Sequence, residues 1–436
     1  RSAAFAPLSQ LGILILDEEQ ESSYKSETVP RYHAREIAKY RCSRHQAVLV
    51  LGSATPSVES MFQAQTGVYQ LFQLTKRYNN RALPEVLIAD LKEELRSGNS
   101  TTISTLLREK IAETIQREEQ VILFLNRRGA NRMVLCTECG EAPECPRCSV
   151  KLTYHSANGR LLCHYCGFTQ PLPKRCPKCD GALTFYGAGI QRVQEELAEL
   201  FPGTRVLRMD ADTVSASHTH QQILSQFERQ KVPILVGTQM VAKGLDFSNV
   251  TLVGVIDADL SLYVDDFRAS ERTFSLLTQV VGRAGRGAQK GSAVIQTYTP
   301  KSDLIICAAQ QDYDSFYQQE IEQRRLRRFP PFRDLYMIYV TGAEESRVLE
   351  SCIRLREGFA AWQASAAMID TPFDLMGPAA ATVVKVMNRY RYSLTISGKD
   401  SKKMRDMMGY ILAQAKGDKR NRGISITVNL NPMDSF

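Results

Sequence analysis

The stretch "LILDEEQESS" (residues 14–23) runs a short apolar segment straight into two adjacent acids, Asp17 and Glu18. An apolar run without polar alternation reads as a strand of a parallel sheet, buried on both faces. Nucleotide hydrolases present a metal-holding aspartate beside a water-activating glutamate at the carboxyl end of such a strand. That chemistry needs a phosphate cradle, normally G-x-x-x-x-G-K-[ST], earlier in the chain. Sixteen residues precede Asp17 and none of them forms one. The single Gly-Lys pair, Gly398-Lys399, is followed by Asp400 and lacks the upstream glycine. With Arg1 in place of an initiating methionine, the sequence reads as part of a longer one whose cradle lies upstream.

Outward from this stretch the same rhythm repeats. "AVLVL" (47–51) is a second short apolar run, with helical spacing in "RYHAREIAKYR" before it. A polar stretch near 76–100 follows. Then come a helix over about 103–118, "VILFL" at 121–125, strand-like "RVLRMD", helix-like "HQQILSQFERQ", and strand-like "PILVG" and "TLVGVID". Strands alternating with helices predict doubly wound α/β lobes. From about 331 the texture changes: "FPPF" breaks the chain, and strands and two helices alternate as in a small α+β domain. The expected division is therefore 1–90 for a first lobe, 91–135 with 180–330 for a second, a cysteine-rich insertion at 136–179, and 331–436 for the α+β domain.

Composition bounds the function classes. At roughly 150 residues per domain, 436 residues suit about three domains. The apolar run Leu11–Leu16 is far shorter than the roughly 20 residues of a membrane span, and no signal-peptide pattern accompanies it. The expectation is a soluble, cytoplasmic protein. Its formal charge of +8 is unevenly placed: residues 385–422 hold eleven Lys or Arg against three Asp, an excess of 11 − 3 = +8.

Eight of the eleven cysteines fall as four Cys-x-x-Cys pairs between Cys136 and Cys179. In a cytosolic chain this spacing means metal rather than disulfides. Cys145, Cys148, Cys163 and Cys166 have the spacing of a compact Cys₄ zinc ribbon, and Cys136, Cys139, Cys176 and Cys179 can close a second site around it. Sequential pairing is the rival, but its connecting loops of five and nine residues leave little chain between knuckles. Two zinc ions held by four thiolates each have no open position, so both sites should shape the fold and not catalyse. A dithiol redox role fits closed sites poorly. Cys42, Cys307 and Cys352 stand apart and should be buried.

Four further motifs could carry chemistry. "GSATPS" (52–57) leaves a strand end with small hydroxyl residues able to relay movement, and equally reads as an ordinary turn. "VGTQMVAKGLDF" (236–247) offers Thr238, Lys243, Gly244 and Asp246 to phosphate or ribose, or is simply a strand-turn-helix connection. In "QVVGRAGR" (279–286), Gly282 and Gly285 leave room for close approach, and Arg283 and Arg286 point the same way if the segment is helical. A guanidinium is what a transferring γ-phosphoryl group needs. "NRYRY" interleaves Arg389 and Arg391 with Tyr390 and Tyr392, a pattern suited to nucleic-acid phosphates and bases, with a solvated strand face as the alternative.

Asp-Glu-Glu-x, Ser-Ala-Thr, Gly-Thr-Gln-Met-x-Ala-Lys-Gly, "DFRASERTFSLLTQVVGRAGR" and an eight-cysteine insertion just after "FLNRRG" together resemble the PriA family of bacterial primosomal replication-restart helicases, from Arg1 to about Pro432. The resemblance implies RecA-like superfamily 2 lobes, with Asp17 on Mg²⁺, Glu18 on the attacking water, and Ser53, Ala54, Thr55 and Thr238 coupling ATP state to DNA. Gly244 and Asp246 would lie at the nucleotide, Arg283 and Arg286 at its γ-phosphate, and Asn126, Arg127 and Arg128 near the DNA path. Tyr24, Tyr32 and Arg35 would form an aromatic, basic loop that senses DNA, with packing at a helix surface as the plain alternative. The implied activity is ATP-driven 3′–5′ unwinding that recognises stalled or forked DNA and initiates primosome assembly. The implied partners are forked and single-stranded DNA, single-strand-binding protein, and primosome and replicative-helicase-loading proteins, with the protein itself a monomer. Gln20, Leu245 and Ser248 stand where the family usually has His, His and Pro, and Gly377-Pro378-Ala379-Ala380-Ala381 where it commonly has Gly-Pro-x-Pro-Ala. Gln20 can hydrogen-bond but cannot ionise. A zinc-ribbon nucleic-acid-binding scaffold without ATP hydrolysis is the alternative from another class.

Overall fold

A computed structural model of the chain describes all residues except 75–82, 126–131, 147–150, 156–158, 163–167, 187–189, 210–219, 239–246, 263–265, 286–288, 366–367, 387 and 434–436. The chain divides into two compact units, Arg1–Phe72 with Tyr317–Phe436, and Gln73–Cys163 with Phe168–Phe316.

In the Gln73–Phe316 unit six parallel strands lie in the order Val206–Met209, Ile234–Gly237, Gln120–Phe124, Val250–Val255, Ser292–Thr297, Glu85–Asp90. The three inner strands Ile234–Gly237, Gln120–Phe124 and Val250–Val255 are buried along their whole length, as their unbroken apolar runs require. Helices Thr105–Gln116 and Ile190–Leu200 lay Leu107, Ile111, Val193 and Leu197 on the sheet. Helix and sheet meet at Gly254, where a Cβ would lie 2.7 Å from Leu123 and 2.9 Å from Leu107. The boundary expected after residue 90 moves, because "EVLIAD" (85–90) is the edge strand of this sheet. Its four apolar residues sit between Pro84 and a charged helix, so the polar average of 76–100 hides them. The cysteine-rich segment interrupts the unit as a five-stranded antiparallel sheet in the order Thr169–Pro171, Arg160–Leu162, Thr153–His155, Arg132–Cys136, Leu183–Tyr186.

In the other unit, Ile13–Asp17 and Val48–Gly52 pair in parallel with Asp17 level with Gly52. Helix Ala34–His45 covers one face, burying Leu16, Ala34 and Ala38 against Leu14, Leu49 and Leu51. The other face is open: Ile13, Ile15, Val48 and Val50 are 55%, 62%, 60% and 38% exposed. This corrects the expectation of strands buried on both sides. Residues 334–430 form a βαββαβ domain with four antiparallel strands in the order Phe373–Val386, Arg389–Gly398, Asp334–Gly342, Ser425–Leu430, the ferredoxin-like arrangement. Helices Glu345–Gln363 and Lys402–Gly417 pack on one face through Val348, Leu355, Phe359, Met404, Met407 and Ile411. The alternating strands and two helices expected after residue 331 are present. The long strand 373–386 was not among the expected elements, since Gly377 and Pro378 break its apolar alternation.

Candidate nucleotide and metal sites

Because the first two strands are parallel and in register, the acid loop and the Ser-Ala-Thr loop leave the same sheet edge side by side, the carboxyl edge at which open α/β sheets bind ligands. Asp17 is exposed there, its Oδ1 accepting from the Glu18 N–H at 3.0 Å and its carbonyl from the Tyr24 hydroxyl at 2.7 Å. Burial, and next the negative field of Asp17, push the Tyr24 phenol above its ordinary value, so it stays a neutral donor. Glu18 turns through φ +49°, a left-handed conformation that costs a residue with a Cβ roughly 1–2 kcal/mol. Strain of that kind collects at functional loops.

Gln20 joins the two loops. Its Nε2 donates to Glu18 Oε2 at 2.7 Å, and its Oε1 accepts from Ser53 Oγ at 2.5 Å. A carboxylate only accepts, so the amide nitrogen must face Glu18. Ser53 Oγ in turn accepts from the Thr55 N–H at 3.0 Å. A neutral imidazole would make the same one-donor, one-acceptor bridge, so Gln20 makes the contact that a His at this position could make and lacks only its charge switching.

Glu19, 2% exposed, points inward. It accepts from the Ser57 N–H at 2.6 Å, from Arg35 Nη1 at 2.9 Å, and from the hydroxyls of Ser57 at 3.2 Å and Ser60 at 3.0 Å. Arg35 is thus a half-buried cation tied to Glu19, which favours packing over the DNA-sensing role the resemblance implies for it. Tyr32 likewise packs edge-on against Phe5, ring centroids 4.9 Å apart. The sequence carried no signal for the Glu19–Arg35 pair.

In the six-stranded unit, Thr238 follows strand Ile234–Gly237 at the carboxyl edge of the sheet, and its N–H donates to Met209 O at 3.4 Å. Residues 126–128 follow the neighbouring strand, but Asn126, Arg127 and Arg128 lie outside the described residues, as do Gly244, Leu245, Asp246 and Arg286. Helix Ala269–Val281 stops at Gly282, so Arg283 stands in the turn beyond it. Gly285, at φ +68°, makes the close approach expected of it: a Cβ there would sit 2.3 Å from the Gly291 nitrogen.

Cys136, Cys139, Cys176 and Cys179 come together with all four sulfurs within 4.8 Å of one another. Cys136 Sγ lies 3.4 Å from Cys179 Sγ, and Cys139 Sγ 3.8 Å from Cys176 Sγ. Zinc–sulfur bonds of about 2.3 Å in a tetrahedron place sulfurs about 3.8 Å apart, so a donor set of this kind and spacing suits zinc. The two knuckles repeat one geometry. Gly140 N–H donates to Cys136 O and Asp180 N–H to Cys176 O, both donors in the left-handed region at φ +70° and +59°. Cys136 N–H returns to Glu141 O and Cys176 N–H to Gly181 O, each at 2.9 Å. Burial raises the Cys176 thiol, but the N–H groups of Lys178 and Cys179 and the neighbouring thiols outweigh it and bring it down to about 7. The grouping is that of the nested pairing, and sequential pairing would separate these four. Of the inner set, Cys145 is buried, and Cys148, Cys163 and Cys166 lie outside the described residues. Cys42, Cys307 and Cys352 are free and buried as expected.

Comparison with known proteins bears on these sites. Residues 145–171 match the PriA DNA helicase Cys-rich region (CRR) domain, 180–288 the helicase conserved C-terminal domain, and 325–433 the primosomal protein N C-terminal domain. The chain is 45% identical over 433 residues to the replication restart protein PriA of Bacillus subtilis (strain 168), covering 99% of this chain and 53% of that protein. It is 36% identical over 441 residues to the replication restart protein PriA of Chlamydia pneumoniae, covering 100% of this chain and 58% of that protein. The chain belongs to the PriA family. It spans about half the length of the curated relatives it matches. The expected α/β helicase lobe with an inserted zinc ribbon and a C-terminal α+β domain is the observed architecture.

In the C-terminal domain of this PriA-family chain the basic and aromatic residues part company. Tyr390 and Tyr392 pack against the helix-side core, Tyr392 donating to Glu345 Oε1 at 2.7 Å, so they are not free base-stacking surfaces. Arg389 and Arg391 lie on alternate positions of the same strand, where side chains face the other way. The Arg389 guanidinium donates to Thr341 O at 3.0 Å while remaining exposed. Among the described residues no helix is long and apolar enough to cross a membrane.

Proposed function

We propose that this chain supplies the water-activating acids, the second lobe and the zinc module of an ATP-driven DNA helicase that restarts replication at stalled or forked DNA. The observation that carries the reading is the bridge Glu18–Gln20–Ser53–Thr55, which ties an exposed acid pair to a hydroxyl loop at the carboxyl edge of a parallel sheet. Family membership supports it, since the relatives are named replication restart proteins.

In this reading Asp17 binds Mg²⁺ as a single hard carboxylate, the one-or-two-carboxylate pattern usual for that ion beside substrate phosphates. Bound Mg²⁺ neutralises charge on the β- and γ-phosphates of ATP. Glu18, held by Gln20, orients and accepts a proton from the attacking water. Gln20 carries any shift of the acid pair to Ser53 and Thr55, and through them to DNA. Thr238, Gly244 and Asp246 serve the nucleotide and its coupling, while Arg283 and Arg286 stabilise the transferring phosphoryl group. Arg127, Arg128, Arg389 and Arg391 contact DNA phosphates. Movement runs 3′ to 5′, as the family resemblance implies, in a monomeric, cytoplasmic protein whose partners are single-strand-binding protein and the primosome and helicase-loading proteins. Two zinc ions crosslink the insertion, one on Cys136, Cys139, Cys176 and Cys179, the other on Cys145, Cys148, Cys163 and Cys166.

The phosphate cradle comes from a further segment of the same lobe. Ile13, Ile15, Val48 and Val50 present an apolar face that a parallel sheet normally covers. A segment bearing G-x-x-x-x-G-K-[ST] is its occupant. Residues 1–436 alone should therefore show no DNA-stimulated ATPase, because the phosphate has nothing to position it. The chain extended through such a segment should hydrolyse ATP on forked DNA with Mg²⁺. Glu18→Gln should cost it roughly 10²–10⁴-fold, the usual contribution of a general base, and Arg286→Ala a comparable factor or more. An extended protein that stays inactive, or one indifferent to both substitutions, gives way to the zinc-ribbon scaffold without hydrolysis.

A further inference from the structure

Helix Val58–Gln65 begins directly after the Ser53–Thr55 loop, and two arginines from distant parts of the chain, Arg35 half-buried and Arg324 buried, hold its first turn. On one side Arg35 donates to Ser57 Oγ at 2.9 Å and Ser60 Oγ at 2.8 Å as well as to Glu19. On the other, Arg324, whose side chain is 1% exposed, pairs with Glu59 at 3.1 Å and with Glu320 at 2.8 Å, and also donates to Pro330 O at 3.3 Å. Arg324 belongs to helix Tyr313–Arg327, which leads into the C-terminal domain. One turn further along, Phe62 meets Phe332 edge-on at 5.2 Å, again from the segment entering that domain. The loop that follows the acids is tied to the same domain: Lys25 Nζ donates to Leu430 O at 2.6 Å, and the Arg31 guanidinium lies 5.4 Å from the centre of the Tyr339 ring.

Both backbone segments that flank the acid site therefore end on the C-terminal domain. A charge as buried as Arg324 tolerates few placements, because shifting it away from Glu59 or Glu320 leaves an uncompensated ion. We infer that Glu59 and Arg324 are positioning residues that make the placement of the Ser53–Thr55 loop, and with it hydrolysis at the acid pair, depend on the C-terminal domain. The inference rests on the proposed ATPase for its consequence, and on the geometry alone for its existence. Binding at the C-terminal domain would then bias the acid site without touching nucleotide.

Hydrogen–deuterium exchange on the 436-residue chain tests the connection. Arg324→Met should speed exchange of a peptide spanning 53–62 at least tenfold while peptides from the strand pair 336–340 and 394–396 change less than twofold. Glu59→Gln, a milder variant, should act in the same place, and the double variant should exchange no faster than Arg324→Met, since both remove one interaction. Unchanged exchange at 53–62, or equal acceleration in both regions, overturns the proposal, the latter by making Arg324 a general stabiliser. In the extended protein, Glu59→Gln should lower kcat for DNA-stimulated hydrolysis about tenfold with KM for ATP within twofold, and an unchanged kcat overturns the coupling. If the unsubstituted extended protein hydrolyses nothing, the helicase reading fails, and the exchange result still decides whether the connection exists.

Discussion

Replacing Cys136 and Cys176 together by serine separates the two ways in which eight cysteines can share two zinc ions. In the observed grouping both belong to one site, so the double variant should lose one zinc per chain and keep the other. Under sequential pairing they would fall in different sites, and both ions would be weakened. Cys139→Ser with Cys145→Ser is the mirror experiment, expected to weaken both sites. Structural zinc on such ligands is worth roughly 10–16 kcal/mol at pH 7, or about 2.5–4 kcal/mol for each of four thiolates. Removing one should therefore weaken zinc about 10²–10³-fold, and removing two from one site about 10⁴-fold or more. Two of the sulfur spacings, 3.4 and 3.8 Å, already lie near the tetrahedral edge. Zinc released to a chromogenic chelator from denatured, dialysed protein gives the stoichiometry. Two ions in the parent, one in Cys136→Ser/Cys176→Ser and none in Cys139→Ser/Cys145→Ser is the expected series. A Cys136→Ser/Cys176→Ser variant that loses both ions while its mirror keeps one would refute the nested reading, and iron in the parent would refute the metal.

Replacing the bridge, Gln20→His, in the extended protein should give a chain whose ATPase relative to the parent falls on the acid side, with a midpoint at or above about 6.5, because imidazolium cannot accept from Ser53 and Glu18 stabilises it. A ratio flat from pH 5.5 to 8 would remove Gln20 from the relay. The stability of the C-terminal domain should fall as pH rises from 10 towards 12, since burial and then Glu345 push the Tyr392 phenol up to about 12. A raised phenol contributes its stability in full below the unfolded value of about 10 and loses it as pH climbs through the folded one. The chain's one tryptophan, Trp362, packs on this domain's core and reports its urea unfolding, and Tyr392→Phe with an unaltered alkaline slope would contradict the assignment. Binding of single-stranded DNA should weaken steeply with salt, and Arg389→Ala/Arg391→Ala should reduce the logarithmic slope by about 1.4, some 0.7 per phosphate contact. An unchanged slope returns these arginines to a solvated strand face.

What the sequence disclosed follows from the range of the interactions concerned. The acid pair, the hydroxyl loop and the cysteine knuckles are local patterns, and strand and knuckle geometry alone bring their members together. The Glu19–Arg35 and Glu59–Arg324 pairs join residues 16 and 265 positions apart, and nothing in either neighbourhood distinguishes them from surface charges. Two other points follow from strand alternation and helix termination. Tyr390, Tyr392, Leu394 and Ile396 alternate along one strand, which places both tyrosines on the core side with Leu394 and Ile396 and the arginines opposite. Gly282 follows the last apolar position of helix Ala269–Val281 and marks its end, which places Arg283 in the turn beyond it. Strand Glu85–Asp90 escaped because an edge strand needs only one partner and carries too few apolar residues to outweigh its charged surroundings.

The run Asp17-Glu18-Glu19 also poses an electrostatic problem that the fold resolves. Three adjacent carboxylates repel, and a strand would send them alternately to two faces while leaving each unpaired. Here the chain leaves the strand at Asp17, and Glu18 takes a left-handed turn, after which Glu19 enters the interior. Its charge is met there by Arg35 and by three further donors from Ser57 and Ser60. Only Asp17 and Glu18 are left towards solvent, where a cation and a water can reach them. Glycine would suit the turn better by about 1 kcal/mol, yet it would remove the carboxylate that Gln20 holds. The strain at Glu18 is offset by the buried pair next to it. Glu19 and Arg35 therefore fix the direction in which their neighbour points.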